Sequence, residues 1–317
     1  MTQINHAESL EQVFLQLHGG TLAGARRFFA PGRVNLIGEH TDYNGGLVFP
    51  APLTLGTTML IRPRTDDLVS FASLDFPLQK QLLLEGAVYE EADDWVNYPK
   101  SILVHLQKRG YTFQGYDVLY SGSIPNQAGL SSSSSIHLVT AFGFMTMENH
   151  PIDRVELALT AREAENQFMN VQCGIMDQFT IAMGKKEHAL KLMCSNLDYE
   201  HVPFPMDQYA LIISNTGKTR GLVDSAYNER REQCNQAVQH LRNHYPELTL
   251  LGELTPDELA ETEFLISNEV VKKRAQHVVH ENDRVKLAVQ ALIARDYSLF
   301  GAYMNASHES LRNLYEV

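Results

Sequence analysis

The sequence predicts a two-domain α+β protein, on three observations. Its 317 residues are enough for about two hydrophobic cores. A β-rich portion (26–84) is followed by helical segments grouped around one small-residue loop. From Leu190 the pattern returns to strands and then to charged helices, which places the domains at 1–195 and 196–317.

Within 8–17, Leu10, Val13, Phe14 and Leu17 have helical spacing, and Gly19-Gly20 ends that helix. Arg26 to Ala30 reads as a short strand stopped by Pro31-Gly32. Leu53–Pro63, Leu68–Leu74 and the alternating run 79–84 read as strands, and Trp95–Arg109 as a helix. Tyr116–Tyr120 is a half-buried strand, and Asp153 is the N-cap of a helix reaching Phe168. In the second half His201-Val-Pro-Phe is a strand, and Tyr209–Ser214 is apolar enough for a buried one. Asp224–His244, Pro256–Leu265, Val270–His280 and Asp283–Ala294 are helices. The sequence ends on an apolar run, Leu314-Tyr-Glu-Val317, which reads as an incomplete C-terminal domain.

The chain is organised around Ser121-Gly-Ser-Ile-Pro-Asn-Gln-Ala-Gly-Leu-Ser-Ser-Ser-Ser-Ser135. Pro125 ends the strand before it, and the apolar run from Ile136 to Met145 suits a buried helix after it. The serines therefore sit at a helix N-terminus, where unpartnered N–H groups stabilise an anion without a lysine. Ser131, Ser132 and Ser133 add hydroxyls that donate to phosphate or ligate a hard cation, and Gly129 keeps the backbone close. No Gly-Lys-Ser/Thr ends the loop, so it is not a Walker loop. A serine linker or simple N-cap is the alternative.

Arg33 to Gly46 mixes charged, apolar and turn residues. Glu39, His40 and Asp42 gather two carboxylates and an imidazole between glycines, a set suited to a polyhydroxylated ligand. A metal site and a plain surface turn are the rivals. Glu165 closes a helix and either faces water or, with Ser133, completes a Mg2+ shell. Asp177, between Met176 and Phe179, is a partly buried acid that Arg33 would hold ionised, ready to take a proton from a hydroxyl; the alternative is a helix cap. Tyr227 follows the polar loop 214–221 and suits the face of a sugar ring, or simply a core or rim position.

Lys plus Arg number 26 and Asp plus Glu 38, a net charge of −12. That balance argues against nucleic-acid and anionic-membrane partners. Three scattered cysteines, Cys173, Cys194 and Cys234, exclude a disulfide framework and fit a reducing cytoplasm. No signal peptide or membrane span is read from the sequence.

Taken together, these residues resemble the galactokinase branch of the GHMP small-molecule kinases. Ala30-Pro-Gly-Arg-Val-Asn-Leu-Ile-Gly-Glu-His-Thr-Asp-Tyr-Asn-Gly-Gly46 matches that branch's signature almost letter for letter. Gly129-Leu-Ser-Ser-Ser133 resembles its phosphate loop and Cys173-Gly-Ile-Met-Asp-Gln-Phe179 its catalytic-aspartate segment. Lys273-Arg-Ala-Gln-His-Val-Val-His-Glu-Asn282 is a further similar stretch.

The resemblance implies the two-domain GHMP fold with its active site in the interdomain cleft, and ATP-dependent phosphorylation of the anomeric hydroxyl of D-galactose by a cytoplasmic monomer. Glu39, His40, Thr41, Asp42, Gly174 and Tyr227 are then the sugar-binding residues. Gln127, Ala128, Gly129, Leu130, Ser131, Ser132 and Ser133 would embrace ATP, Ser133 and Glu165 would ligate Mg2+, and Asp177 and Arg33 are the catalytic pair. A non-catalytic sugar sensor and an N-acetylgalactosamine kinase are the alternatives. Gln127, Ser134, His137 and Asn170 depart from the family's usual glycine, alanine, glutamate and glycine; asparagine tolerates the left-handed backbone a glycine would supply. The family's C-terminal glycine-rich motif is not present in the sequence.

Overall fold

Local signals set most element ends. The computed structural model describes residues 9–125, 128–204, 209–215 and 223–317. Helix α1 (Leu10–His18) starts on a reciprocal cap: the Ser9 hydroxyl accepts from the Gln12 N–H and the Gln12 side chain from the Ser9 N–H. In chain order follow β1 (Arg26–Asn35), β2 (Leu47–Val48), β3 (Pro50–Pro63), β4 (Leu68–Ser73), β5 (Lys80–Leu83), α2 (Asn97–Lys108), β6 (Tyr116–Gly122), α3 (Ser132–Met147) and α4 (Arg154–Gln167). Then come α5 (Met176–Met183), β7 (His188–Met193), β8 (Tyr199–Pro203), α6 (Val223–Leu241), α7 (Pro256–Thr262), α8 (Glu269–Ile293) and α9 (Tyr297–Ser310). Asp153 caps α4 as expected, its carboxylate accepting from the Val155 and Glu156 N–H groups.

Two compact units result. The first comprises residues 1–32, 53–173 and 177–183, and the second 33–52, 174–176 and 184–317. Packing thus divides the chain otherwise than a single cut at 195/196, since 33–52 groups with the C-terminal half. In the first unit a five-stranded sheet has the order β1-β3-β6-β4-β5, with β4 parallel and β3 antiparallel to β6. Alternation along the strands sorts its two faces. Met59, Ile61, Phe71, Val118 and Tyr120 join α2, α3 and α4 in the main core, whereas Leu60, Ala72 and Leu119 meet Val13 and Phe14 of α1. In the second unit β2-β7-β8 form an antiparallel sheet, and α8 packs against α6, α7 and α9. No helix among the described residues is long and apolar enough to cross a membrane.

Three expectations change. The strand at Arg26 does not stop at Pro31-Gly32 but runs to Asn35. It is an edge strand, where proline's missing N–H costs little, and a Cβ at Gly32 would lie 2.6 Å from the Leu130 carbonyl oxygen. The two helices expected over 270–294 are one, α8, because Asn282 is no breaker here: its side chain accepts from Leu47 N–H and donates to the Gly252 carbonyl. Residues 209–215 form no strand, and Ile212 is 83% exposed. An apolar run makes a strand only beside a hydrogen-bonding neighbour, and no described strand pairs with it. Asn170 does adopt the left-handed backbone, with φ 57°.

Asp93 and Lys100, at 1% exposure each, form an ion pair in the first unit, and Lys80 Nζ adds a contact at 2.7 Å. Burial opposes the Asp93 charge, but hydrogen bonds from Lys100 and Lys80 outweigh it and hold the carboxyl below its ordinary range. Asp93→Asn leaves the Lys100 cation buried without its partner and is expected to destabilise the fold by about 3 kcal/mol. Because the folded pKa is depressed, this stabilisation is full above the unfolded value of about 3.9 and is lost as pH falls below it. Denaturant titrations should show the gap between the two proteins closing below about pH 4; an equal gap at pH 3 and pH 7 would contradict this account.

Candidate active site

In the first unit, β6 delivers the chain through Ile124 and Pro125 to the start of α3. Gly129 has φ +72°, and Ser131 stands at the N-cap in the left-handed region (φ 61°, ψ 47°). In that conformation its hydroxyl makes no cap bond; it donates instead to Asp177 Oδ2 at 2.6 Å. The simple N-cap reading therefore fails, and the first-turn N–H groups of a 16-residue helix are left uncapped by a side chain. Ala128 and Ser133 are half-buried, Ser132 is exposed, and Leu130 is buried. Gln127 lies outside the described residues. Asp177 is in the first turn of α5 and is not its cap, which is Ile175.

Glu165 is 7% exposed on α4 and accepts from Gln178 Nε2 at 2.8 Å. His137 Nδ1 is 3.9 Å from Glu165 Oε2. Burial, with the neighbouring His105 adding to it, pushes His137 down to about 3, so the ring is neutral at neutral pH and does not neutralise Glu165. His137 Nε2 is instead engaged with Ser101 Oγ at 2.9 Å. Among the described residues no three His, Cys, Asp or Glu side chains gather as a metal cluster.

Beside the serines the same unit holds a cavity of about 440 Å³ lined by Asp75, Phe76, Trp95, Tyr98, Ser132 and Ser133, among others. Phe76 and Trp95 stack at 6.2 Å and 21°, and Trp95 Nε1 donates to the Leu78 carbonyl. Its aromatic wall joined to a serine-lined end suits a flat ring bearing an anionic tail. Reading the sequence missed this wall. Phe76 comes from the β4–β5 connection and Trp95 from the 3-10 helix Glu91–Val96, and the only tryptophan in the chain was the one available signal.

In the second unit, the acidic residues occupy a tight turn running into a 3-10 helix, Asp42–Asn44. Thr41, expected among the sugar-facing groups, is instead fully buried. Its hydroxyl lies 2.8 and 2.7 Å from the Gly38 and Leu47 carbonyls, so its one proton is spent within the turn rather than on a ligand. Asn35 Nδ2 donates to Glu39 Oε1 at 2.9 Å. His40 takes a left-handed backbone (φ 61°), and its Nδ1 lies 2.9 Å from the Tyr43 hydroxyl. Burial, then His277 and Arg230, push this imidazole down to about 3, so it too is neutral. Tyr227 on α6 stands 5.9 Å from the His40 ring and 5.1 Å from Tyr43. A Cβ at Gly174 would lie 2.0 Å from Asp42 Oδ2, so only glycine admits that carboxylate. Arg33 is half-buried on β1. Glu39, His40, Asp42, Gly174 and Tyr227 are all parts of this unit, as Ser131, Ser133, Glu165 and Asp177 are of the other.

Two family models match the chain: the galactokinase galactose-binding signature over residues 12–63 and the GHMP kinases N terminal domain over 97–185. The galactokinase of Halalkalibacterium halodurans is 47% identical over 296 residues, 93% of this chain and 75% of that one. That of Bacillus subtilis is 44% identical over 313 residues, 98% of this chain and 80% of its own. Among solved structures, Lactococcus lactis galactokinase complexed with galactose superposes with a TM-score of 0.93 at 40% identity, covering 97% of this chain and 80% of that one. A mevalonate kinase shares the fold at a TM-score of 0.59 and 18% identity. By these likenesses, and by the acidic turn and the serine-lined helix start that its own residues build, the chain belongs to the galactokinase family of the GHMP kinases.

Proposed function

We propose that this chain phosphorylates the anomeric hydroxyl of D-galactose with ATP, giving galactose 1-phosphate and ADP. The observation that carries this reading is the hydrogen bond from Ser131 to Asp177. It ties a carboxylate to the N-terminus of an uncapped helix, so an acid able to take a hydroxyl proton stands beside the place that favours phosphate. A protein that only sensed sugar has no use for that pairing.

Phosphoryl transfer rests on alignment and charge neutralisation. The aromatic cavity takes the base of ATP, and the α3 N-terminus with Ser132 and Ser133 takes its phosphates. Glu39, His40 and Asp42 hold galactose hydroxyls, Tyr227 lines the sugar, and Gly174 keeps Asp42 in place. Asp177 accepts the anomeric proton, and Arg33 offsets charge in the transition state. The Ser133 hydroxyl and Glu165 carboxylate are hard oxygen donors of the kind Mg2+ accepts alongside waters and phosphate oxygens; when bound, the ion would neutralise phosphate charge. The three free thiols support a cytoplasmic setting, and the family resemblance is what supports reading the protein as a monomer. On this reading 1–195 carries the sugar signature, phosphate loop and aspartate, and 196–317 belongs to the second domain.

Galactose-dependent ADP release under saturating ATP and Mg2+ is the direct test, with N-acetylgalactosamine as comparator; galactose binding without ADP release would leave only the sensor. Asp177→Asn should retain galactose binding while turnover falls ~100-fold or more, and unchanged turnover removes Asp177 as the base. Gly174→Ala must displace the Asp42 carboxylate, so it should raise the KM for galactose about tenfold while ATP affinity stays the same. Since Trp95 is the chain's only tryptophan and lines the cavity, nucleotide should change its fluorescence. Phe76→Ala should weaken that response, and an emission indifferent to saturating ATP would place the base elsewhere.

A further inference from the structure

We propose that Tyr315, with Cys234 behind it, is a positioning residue for sugar recognition, fixing the tautomer of His40 through a directed chain of hydrogen bonds. Four groups of the second unit stand in line: Cys234 Sγ is 3.2 Å from Tyr315 Oη, Tyr315 Oη is 2.7 Å from Tyr43 Oη, and Tyr43 Oη is 2.9 Å from His40 Nδ1. Each hydroxyl carries one proton, so the whole line must run one way.

The sulfur end sets the direction. Cys234 Sγ already receives Asn44 Nδ2–H at 3.6 Å, and sulfur is a weak acceptor. Burial raises the thiol to about 11, so it keeps its proton, and Tyr315 Oη is the oxygen in reach. Tyr315 then donates to Tyr43, and Tyr43 to His40 Nδ1. The opposite direction asks the sulfur to accept a second hydrogen bond and leaves its own S–H nowhere to go. A neutral His40 accepting at Nδ1 carries its proton on Nε2, which has no partner among the described residues.

The Tyr315 ring reinforces this. It lies 4.6 Å from the His40 ring and 4.5 Å from that of His277, whose Nε2–H donates to the Glu39 carbonyl at 3.0 Å. The Tyr315 side chain thus backs both His40 and the histidine that holds the neighbouring Glu39 carbonyl. Arg230 Nε holds the Tyr315 carbonyl at 2.8 Å, and the Arg274 guanidinium, 2% exposed, lies over its ring at 5.8 Å. Only the last step rests on the proposed function: Nε2–H would donate to a galactose hydroxyl.

The test reads the tautomer first and the sugar second. In the 317-residue chain labelled with 15N-histidine and without ligand, the His40 resonance, assigned by its loss in His40→Ala, should report a proton on Nε2 alone. Tyr315→Phe and Cys234→Ala should convert it to a mixture, with Cys234→Ser restoring the single form. Galactose affinity should fall about tenfold in Tyr315→Phe, and that loss should vanish when the same change is made in a His40→Ala background. A proton on Nδ1 in the unaltered chain, a single tautomer persisting in both Tyr315→Phe and Cys234→Ala, or an equal loss in the His40→Ala background each overturns the proposal. If the tautomer behaves as stated and galactose does not bind, the proposed function fails and the hydrogen-bond chain stands.

Discussion

The second unit depends on one face of α8. Arg274, His277, Glu281 and Asn282 recur at helical spacing and are all at most 3% exposed, where a helix would ordinarily present apolar residues. Three of them grip the backbone of the acidic turn: His277 donates to the Glu39 carbonyl, Glu281 accepts from the Gly38 N–H, and Asn282 accepts from the Leu47 N–H. Buried polar groups are tolerated when each finds its partner. Glu281 shows how complete this is, also accepting from the Ser307 hydroxyl and pairing with Arg284 at 2.7 Å.

The first unit solves the opposite problem. There the exposed feature is backbone, the N–H groups opening α3, and side chains must stay out of their way. Ser131 does so by taking a left-handed conformation that sends its hydroxyl to Asp177 rather than back to the helix. Non-glycine residues pay for that conformation, and such strain concentrates where function requires it. An uncapped helix start and a positioned carboxylate are thus two results of a single backbone choice.

Much of this was legible beforehand. The Asp153 cap and the α1 stripe of Leu10, Val13, Phe14 and Leu17 are local signals, and the elements follow them; β6 forms where it was read, but Tyr116–Tyr120 is buried on both faces rather than half-buried, because helices cover both sides of its sheet. The misses share a cause. Pro31-Gly32 reads as a stop until β1 proves to be an edge strand. The gap read between His280 and Asp283 closes into one helix, with Asn282 spending its side chain on Leu47. The run 209–214 reads as a buried strand because its apolarity carries no information about a neighbour. Thr41 was grouped with the ligand residues because adjacency in sequence says nothing of direction, and its hydroxyl points inward to two carbonyls.

The sequence by itself determined the family, the place of the serines at a helix start and the roster of acids, since motif identity and the position of a helix end are properties of contiguous residues. Tertiary structure alone decided which residues meet: Ser131 hydrogen-bonded to Asp177, Gly174 packed against the Asp42 carboxylate, and Tyr315 behind Tyr43 and His40. These pairs join positions 46, 132 and 272 residues apart, and only the packing of distant elements fixes which polar atoms meet once water is removed.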